Sequence, residues 1–320
     1  MKLFSTLSET FHALKQLKGR TLITFHSLGD VDAVASAIAL EQLIPNSEAA
    51  SIDAIASDAK RALKATKFAM PIARPLFNYD NVVFVDVSTP ALISERLDEL
   101  KQVKGKIVVI DHHYHSDYLQ ASTRYVDEES ASTCEIVFEL LKMAQKKPGD
   151  RLATLLLAGV FRDSANFKSA KPSTFIAVSE LMKLAKKQYS QILAIAEGEP
   201  DYGQKMAVLD AVKNARMLTS KNHMVVAWTN CRAFTIQVAS ALVQCGADVG
   251  IAINPLEGKA SAVKRETLSK PNVGQLMERG ARKYSGSGGG HQHVGGAQFR
   301  PAYARLFSEF IANEALLELE

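Results

Sequence analysis

The chain is poor in the features that mark secreted, thiolate-metal or membrane proteins. Its 320 residues include three cysteines, Cys134, Cys231 and Cys245, far apart in sequence and with no CxxC pair. This excludes a disulfide framework and a thiolate metal site, and it fits reduced thiols in the cytosol. No apolar run approaches the ~20 residues that cross a bilayer. The opening stretch MKLFSTLSETFHALKQLKGR reads as an amphipathic helix rather than a signal peptide. A cytoplasmic protein with no membrane partner is expected. Nor is there an excess of one charge: 38 basic against 34 acidic side chains leave +4, which does not by itself call for nucleic acid. A 47% hydrophobic content is enough for one large or two medium domains with real cores.

What is present is an alternation of strand and helix signals. RTLITF, NVVFVDV and KIVVID are apolar runs of the kind buried on both faces of a parallel sheet; ASIDAIA is a weaker one. DVDAVASAIALEQLI and SERLDELKQV read as helices between them. SASTCEIVFELLKMAQ reads as a helix with Ser132 and Glu135 at capping-box spacing, and GDRLATLLLAGVF as one with Asp150 as N-cap. Strand signals then vanish from Asn166 to Thr219. A second unit starts near HMVVAWTN, with a helix, a hairpin around Pro255–Gly258, another helix, a glycine-rich segment and a final helix. The predicted fold is α/β: a parallel-sheet N-terminal domain over 1–190 with helices on both faces, a helical connector over 191–221, and a smaller α/β domain over 222–320.

Several predicted elements end in charge. Asp86 closes one strand; Asp111, His112 and His113 close the next. His26 follows the first strand, Asp30 and Asp32 open the helix after it, and Asp163 ends a later helix. The carboxyl ends of parallel strands face the crevice where ligands of such sheets bind. Carboxylates gathered there repel one another, and Lys and Arg are scarce in these segments, so divalent metal is the natural compensator. Imidazole with carboxylate suits Mn²⁺, less clearly Mg²⁺, Fe²⁺ or Zn²⁺. The number of ligands suggests two ions, able to clamp a phosphate and activate water for hydrolysis of a phosphoester or phosphoanhydride. Asp30 or Asp32 can cap the helix at the same time. His115 and Asp117 read as loop residues.

The segment GSGGGHQHVGG combines glycines, which let backbone N–H groups approach an anion, with His291 as a phosphate donor. A helix N-terminus is expected just after it. Lys264 and Arg265, at the end of a hairpin strand, can supply positive charge.

Taken together, HSLGDVDAVAS, VDVS, DHH, RDSANF and GGGHQHVGG occur in an order that resembles the DHH phosphoesterases in their two-domain form, which includes RecJ-like exonucleases and nanoRNase/pAp phosphatases. The resemblance spans nearly the whole chain. It implies that His26, Asp30 and Asp86 hold one metal, and Asp32, Asp86, His112 and Asp163 the other, with Asp86 bridging. It implies that His113 faces the substrate phosphate and that Asp111 orients the site. It gives Gly289, Gly290 and His291, with Lys264 or Arg265, a part in substrate binding. The family usually has glycine where Ala165 stands. The activity implied is a manganese-dependent phosphoesterase, with Mg²⁺ as the other candidate ion, acting on short single-stranded RNA or DNA or on small nucleotides. Phosphatase action on pAp and hydrolysis of cyclic dinucleotides are the alternatives. An inactive, replisome-type interaction protein on the same fold is the alternative of a different class. A homodimer is compatible with all of them.

Overall fold

The structure is a computed structural model that describes residues 4–87, 89–113, 117–198 and 200–320; His115 lies outside them. The chain divides into two compact units, residues 1–199 and 200–320.

The first unit runs α1 (Leu7–Lys15), β1 (Thr21–Thr24), β2 (Leu28–Gly29), α2 (Val31–Leu40), β3 (Ser47–Ala49), β4 (Ala54–Ile55), α3 (Ser57–Thr66), β5 (Asn81–Val85), α4 (Leu97–Leu100), β6 (Ile107–Asp111), β7 (Thr123–Val126), α5 (Thr133–Met143), α6 (Asp150–Asp163), α7 (Pro172–Ala185) and α8 (Tyr189–Glu197). Five strands form a parallel sheet in the order β3-β1-β5-β6-β7. Side chains alternate along each strand, so one set enters each face. Ile23, Val83, Val85, Val108 and Ile110 pack under α2, α5 and α6; Leu22, Val82, Phe84 and Val109 pack on the other face with Leu76, Ile93 and Leu100. Burial on both faces explains the unbroken apolar runs.

Three local expectations are corrected. The helix read from SERLDELKQV shrinks to four residues, Leu97–Leu100 in α4, preceded by a 3₁₀ segment over Pro90–Arg96. At α5, Ser132 does accept the N–H of Glu135 at 3.3 Å, but the Glu135 carboxylate is turned to the Thr174 hydroxyl at 3.2 Å, so the box is not closed by that residue. At α6 the N-cap is Gly149, with Asp150 the first helical residue.

The second unit runs α9 (Tyr202–Lys213), β8 (Arg216–Thr219), β9 (Val225–Asn230), α10 (Thr235–Gln244), β10 (Val249–Asn254), β11 (Lys259–Lys264), α11 (Val273–Lys283), β12 (Ser287–Gly290), β13 (Val294–Gln298) and α12 (Ala304–Leu319). Its six strands lie in the order β12-β13-β11-β10-β9-β8; β9 and β10 are parallel and the other neighbours antiparallel. Residues 191–221, read as a connector, contribute α8 to the first unit and α9 and β8 to the second. β8 carries no strand signal in sequence because it is a four-residue edge strand, largely exposed, with no apolar run to bury.

The glycine-rich segment is not a loop leading into a helix. Ser287–Gly290 is a strand paired with β13, and α12 starts only at Ala304. Its glycines serve close packing: a Cβ on Gly288 would stand 2.7 Å from the Met277 carbonyl on α11, and one on Gly290, at φ +144°, 2.4 Å from the Val294 carbonyl. Among the described residues no helix is long and apolar enough to cross a membrane.

Candidate metal centre

The centre is assembled at the carboxyl ends of β1, β5 and β6 and at the start of α2 and end of α6. His26 follows β1. Asp30 is the N-cap of α2, where its Oδ1 accepts the Ala33 N–H at 3.0 Å. Asp86 follows β5 with a φ of +58°, a left-handed conformation that most side chains avoid and that Asp tolerates better than most. Asp111 ends β6, and His112 and His113 leave it. Asp163 is the last residue of α6.

Ligand atoms of these residues fall into three overlapping groups, each within 4.8 Å: His26, Asp30 and Asp86; Asp86, Asp111, His112 and His113; and Asp32, His112 and Asp163. Asp86 is shared between the first two and shows each a different oxygen. Its Oδ2 lies 3.6 Å from Nε2 of His26, while its Oδ1 lies 3.7 Å from Nε2 of His112 and 3.6 Å from Nδ1 of His113.

The surrounding hydrogen bonds fix most of these side chains. Nδ1 of His112 meets the Ser130 carbonyl at 3.2 Å, so that nitrogen carries the proton in the neutral ring and Nε2 presents its lone pair to the centre. Oδ1 of Asp111 accepts the N–H groups of His112 and His113 at 2.7 and 3.1 Å and receives Nδ1 of His113 at 2.9 Å. Asp32 is fully enclosed. Its Oδ2 accepts the Thr133 N–H at 2.8 Å and its Oδ1 the Cys134 N–H at 2.9 Å, so its carboxylate sits on the N-terminus of α5. The Thr133 hydroxyl donates to Oδ1 of Asp86 at 3.3 Å. Sequence reasoning missed this support from α5; the Ser132 cap signal located the helix start but not what sits on it. It also missed Asp58 and Arg162. They pair at 3.1 Å and, with Asp30, Asp32 and Asp163, line a cavity of about 70 Å³ beside the centre.

The electrostatics are those of anions lacking a counter-charge. Burial, with Asp163 next in weight, raises Asp32 to about 7. Burial and then Asp32, Asp30, Asp163 and Asp111 raise Asp86 well above the usual carboxylate range. Burial lowers His26. Burial also opposes charge on His112, but Asp163, Asp32 and Asp111 outweigh it and hold that ring up at about 9. A bound divalent cation reverses this logic by favouring every anionic carboxylate and every neutral imidazole.

The residues fit such a cation. Nε2 of His112 and Oδ2 of Asp163 are buried, stand 2.8 Å apart and have no other partner among the described residues. The raised His112 ring holds a proton between them in the metal-free centre, and a divalent cation can take that proton's place on the two convergent atoms. Asp32 keeps capacity for a ligand too, because each carboxylate oxygen can accept more than the single N–H it receives.

The predicted substrate-grip residues lie in the second unit. Lys264 is 1% exposed, and its ammonium has no hydrogen-bond partner among the described residues. Arg265 is held by the Gly246 carbonyl at 3.1 Å and lies 3.6 Å from Asp248. Gly289 has open space on its Cβ side, while the His291 and Gln292 carbonyls take the Gly274 and Val273 N–H groups at the start of α11.

Residues 20–160 match the model of the DHH family, N-terminal domain. Over that stretch, 141 of the 320 residues, the first unit is similar to the DHH family. An uncharacterized protein of Methanocaldococcus jannaschii, MJ0988, is 28% identical over 290 residues, 87% of each chain. A bifunctional oligoribonuclease and PAP phosphatase, NrnA of Mycoplasma genitalium, is 28% identical over 108 residues, 29% of this chain and 34% of its own. The crystal structure of an exopolyphosphatase-related protein from Bacteroides fragilis covers 100% of both chains with a TM-score of 0.72 at 15% identity, so the two share a fold.

Proposed function

We propose that the protein is a hydrolytic phosphoesterase working with two divalent cations, preferably Mn²⁺, for which a mixed imidazole and carboxylate donor set is suited, with Mg²⁺ second. In this reading His26, Asp30 and Asp86 hold one cation and Asp32, Asp86, His112 and Asp163 the other. The observation that carries it is Asp86, whose Oδ2 faces His26 and whose Oδ1 faces His112. When bound, the cations would lend positive charge to phosphoryl oxygens and acidify the attacking water. His113, with its side chain about half exposed at 49% and its Nδ1 on Asp111, would face the substrate phosphate. Asp111 acts through His113 and through the backbone it braces. Asp86 is held by Thr133, and Asp32 by the α5 N-terminus.

The substrates proposed are short single-stranded oligonucleotides, RNA first, cleaved from one end. A nucleoside bisphosphate such as pAp is the second reading, favoured because the NrnA relative is named for both activities. In the second unit we assign substrate contact to Gly289, Gly290 and His291. Lys264 supports this as a buried ammonium without a partner among the described residues, whereas Arg265 is already engaged by Gly246 and Asp248.

The test is a panel. Chelator-stripped protein is restored with Mn²⁺ or Mg²⁺ and incubated with di- to pentaribonucleotides, single-stranded DNA, pAp, cyclic dinucleotides and pyrophosphate. Mononucleotide released from short RNA supports the first reading, and phosphate released from pAp the second. No turnover of any of them with either metal overturns both.

A further inference from the structure

The second unit carries a groove that the phosphoester chemistry leaves unused. Two adjoining cavities of about 480 and 790 Å³ share Asn214, Asn230 and Pro255. They open where β9 and β10 end. Sheet register puts this edge opposite the tip of the glycine strand: Asn254 aligns with Lys259, Gln298 and Ser287, whereas Gly290 aligns with Gly295 and Ala262, near the Val249–Lys264 pair. Three residues of strand, on the order of 10 Å, separate Lys259 from Ala262, and the glycine strand lies three strands across the sheet from β10. The groove is therefore distinct from the surface around Gly290 and His291.

Its halves differ in chemistry. Ala211, Cys231 and Leu256 line the smaller cavity, with Asp210 and Arg232 its two charged side chains, one of each sign. The larger is lined by Arg216, Arg305 and Trp228 and by no acidic side chain. Arg216 and Trp228 are cross-strand partners of β8 and β9, so both stand on the same face of the sheet. The Arg216 guanidinium makes no hydrogen bond or ion pair among the described residues. Arg305 is braced by Glu309 at 3.0 Å in the first turns of α12, a helix whose N-cap, Tyr303, supplies no side-chain cap. An uncompensated guanidinium, a second arginine and a helix N-terminus converge on one cavity, and an apolar slot adjoins it across Asn230. That pattern fits a ligand with an anionic end and a flat, weakly polar end. The volumes are within the range of small-molecule sites, roughly 300–1,000 Å³.

We propose that this groove binds a nucleoside monophosphate, with its phosphate on Arg216 and Arg305 and its base toward Ala211 and Leu256, as a second nucleotide site. The charges favour this direction: in the slot Asp210 balances Arg232, whereas the larger cavity has two arginines and no acid in its lining, and Asp210 can accept from an exocyclic amine. The proposal does not depend on the reaction assigned to the first unit.

Trp228 is the single tryptophan of the chain, so emission of the full-length protein reports on this cavity alone. With metal removed by chelator, AMP should change that emission saturably, with a midpoint between about 10 μM and 1 mM. Arg216→Ala should raise the midpoint by about tenfold or more, the loss expected of one charge-assisted contact to phosphate. Adenosine and inorganic phosphate should each bind more weakly than AMP. Equilibrium dialysis with labelled AMP reads the same site even if the indole is silent: one equivalent should be lost in Arg216→Glu and kept in His291→Ala. Circular dichroism checks that the variants fold. The proposal is overturned by no AMP binding up to about 5 mM in either measurement, by binding indifferent to both Arg216 variants, or by binding that His291→Ala removes.

Discussion

Nε2 of His112 stands 2.8 Å from Oδ2 of Asp163, and neither atom has any other partner among the described residues. β6 and α6 thus bring two ligand atoms to one point, where the raised His112 ring holds a proton in the metal-free centre. A divalent cation would take that proton's place. His112→Ala should abolish turnover with Mn²⁺ while leaving the fold intact. Replacing Asp111, which supports His113 without being assigned as a ligand, should cost about 10–100-fold. Steady-state rates and circular dichroism on the two variants check this, and an Asp111→Asn enzyme of full activity contradicts the role given to it.

Metal binding should release protons at neutral pH. Asp32 is raised to about 7 and Asp86 well above the usual range, so the metal-free centre carries protons that a cation must displace. Affinity for Mn²⁺ should therefore fall as pH is lowered from 8 to 6. Calorimetric titrations in buffers of different ionisation enthalpy measure the release directly.

The same shifts set the stability of the metal-free protein. A carboxyl group whose pKa is higher folded than unfolded binds more protons in the folded state between the two values, so stability declines as pH rises through that window. For Asp32 the window runs from about 4, the ordinary value, to about 7. Metal-free protein should melt at a higher temperature at pH 5.5 than at pH 8, and Mn²⁺ should stabilise most at pH 8. A melting curve flat with pH counts against it.

Glu135 provides a control outside the proposed ligand set. Burial raises it to about 7, and its Oε1 has no hydrogen-bond partner among the described residues. Its ionisation opposes folding progressively from about 4.5, the ordinary value, to about 7, and in full above that. Glu135→Gln should raise the melting temperature more at pH 8 than at pH 5.5; thermal melts at the two pH values decide.

The loop after Asp163 carries backbone strain. Ala165, Asn166 and Phe167 have φ of +49°, +62° and +67° in succession. Phe167 holds the turn in place, stacked on Tyr189 at 6.2 Å and edge-on to Phe161 at 5.4 Å. A left-handed residue with a Cβ costs about 1–2 kcal/mol, partly offset by the greater unfolded-state freedom of glycine. Ala165→Gly should therefore stabilise by about 0.5–1 kcal/mol, or about 1–4 °C in melting temperature. A lower melting temperature contradicts this.

The acids were legible because a parallel strand buried on both faces must be apolar until it reaches the sheet edge. Asp86 and Asp111 end such runs, and the alternating pattern put both at the same edge. Asp32 was legible as a helix-opening acid but not as a carboxylate seated on α5, a contact spanning 101 residues of sequence. No local pattern encodes that pairing. Gly159 on α6 belongs with it: a Cβ there would meet Sγ of Cys134 at 2.5 Å and Cα of Asp32 at 3.2 Å, so α6 needs glycine where α2 and α5 converge. The glycine segment misled for a related reason. Glycine permits turns, but it also lets a strand lie close against a helix, and β12 on α11 uses the second property.

Direct titration of chelator-stripped protein with Mn²⁺ tests the central claim. Two equivalents should bind, and Asp86→Asn should weaken both, because each oxygen of that carboxylate faces a different set of ligands. One equivalent or none, or two that bind Asp86→Asn as tightly as the parent, would contradict the account.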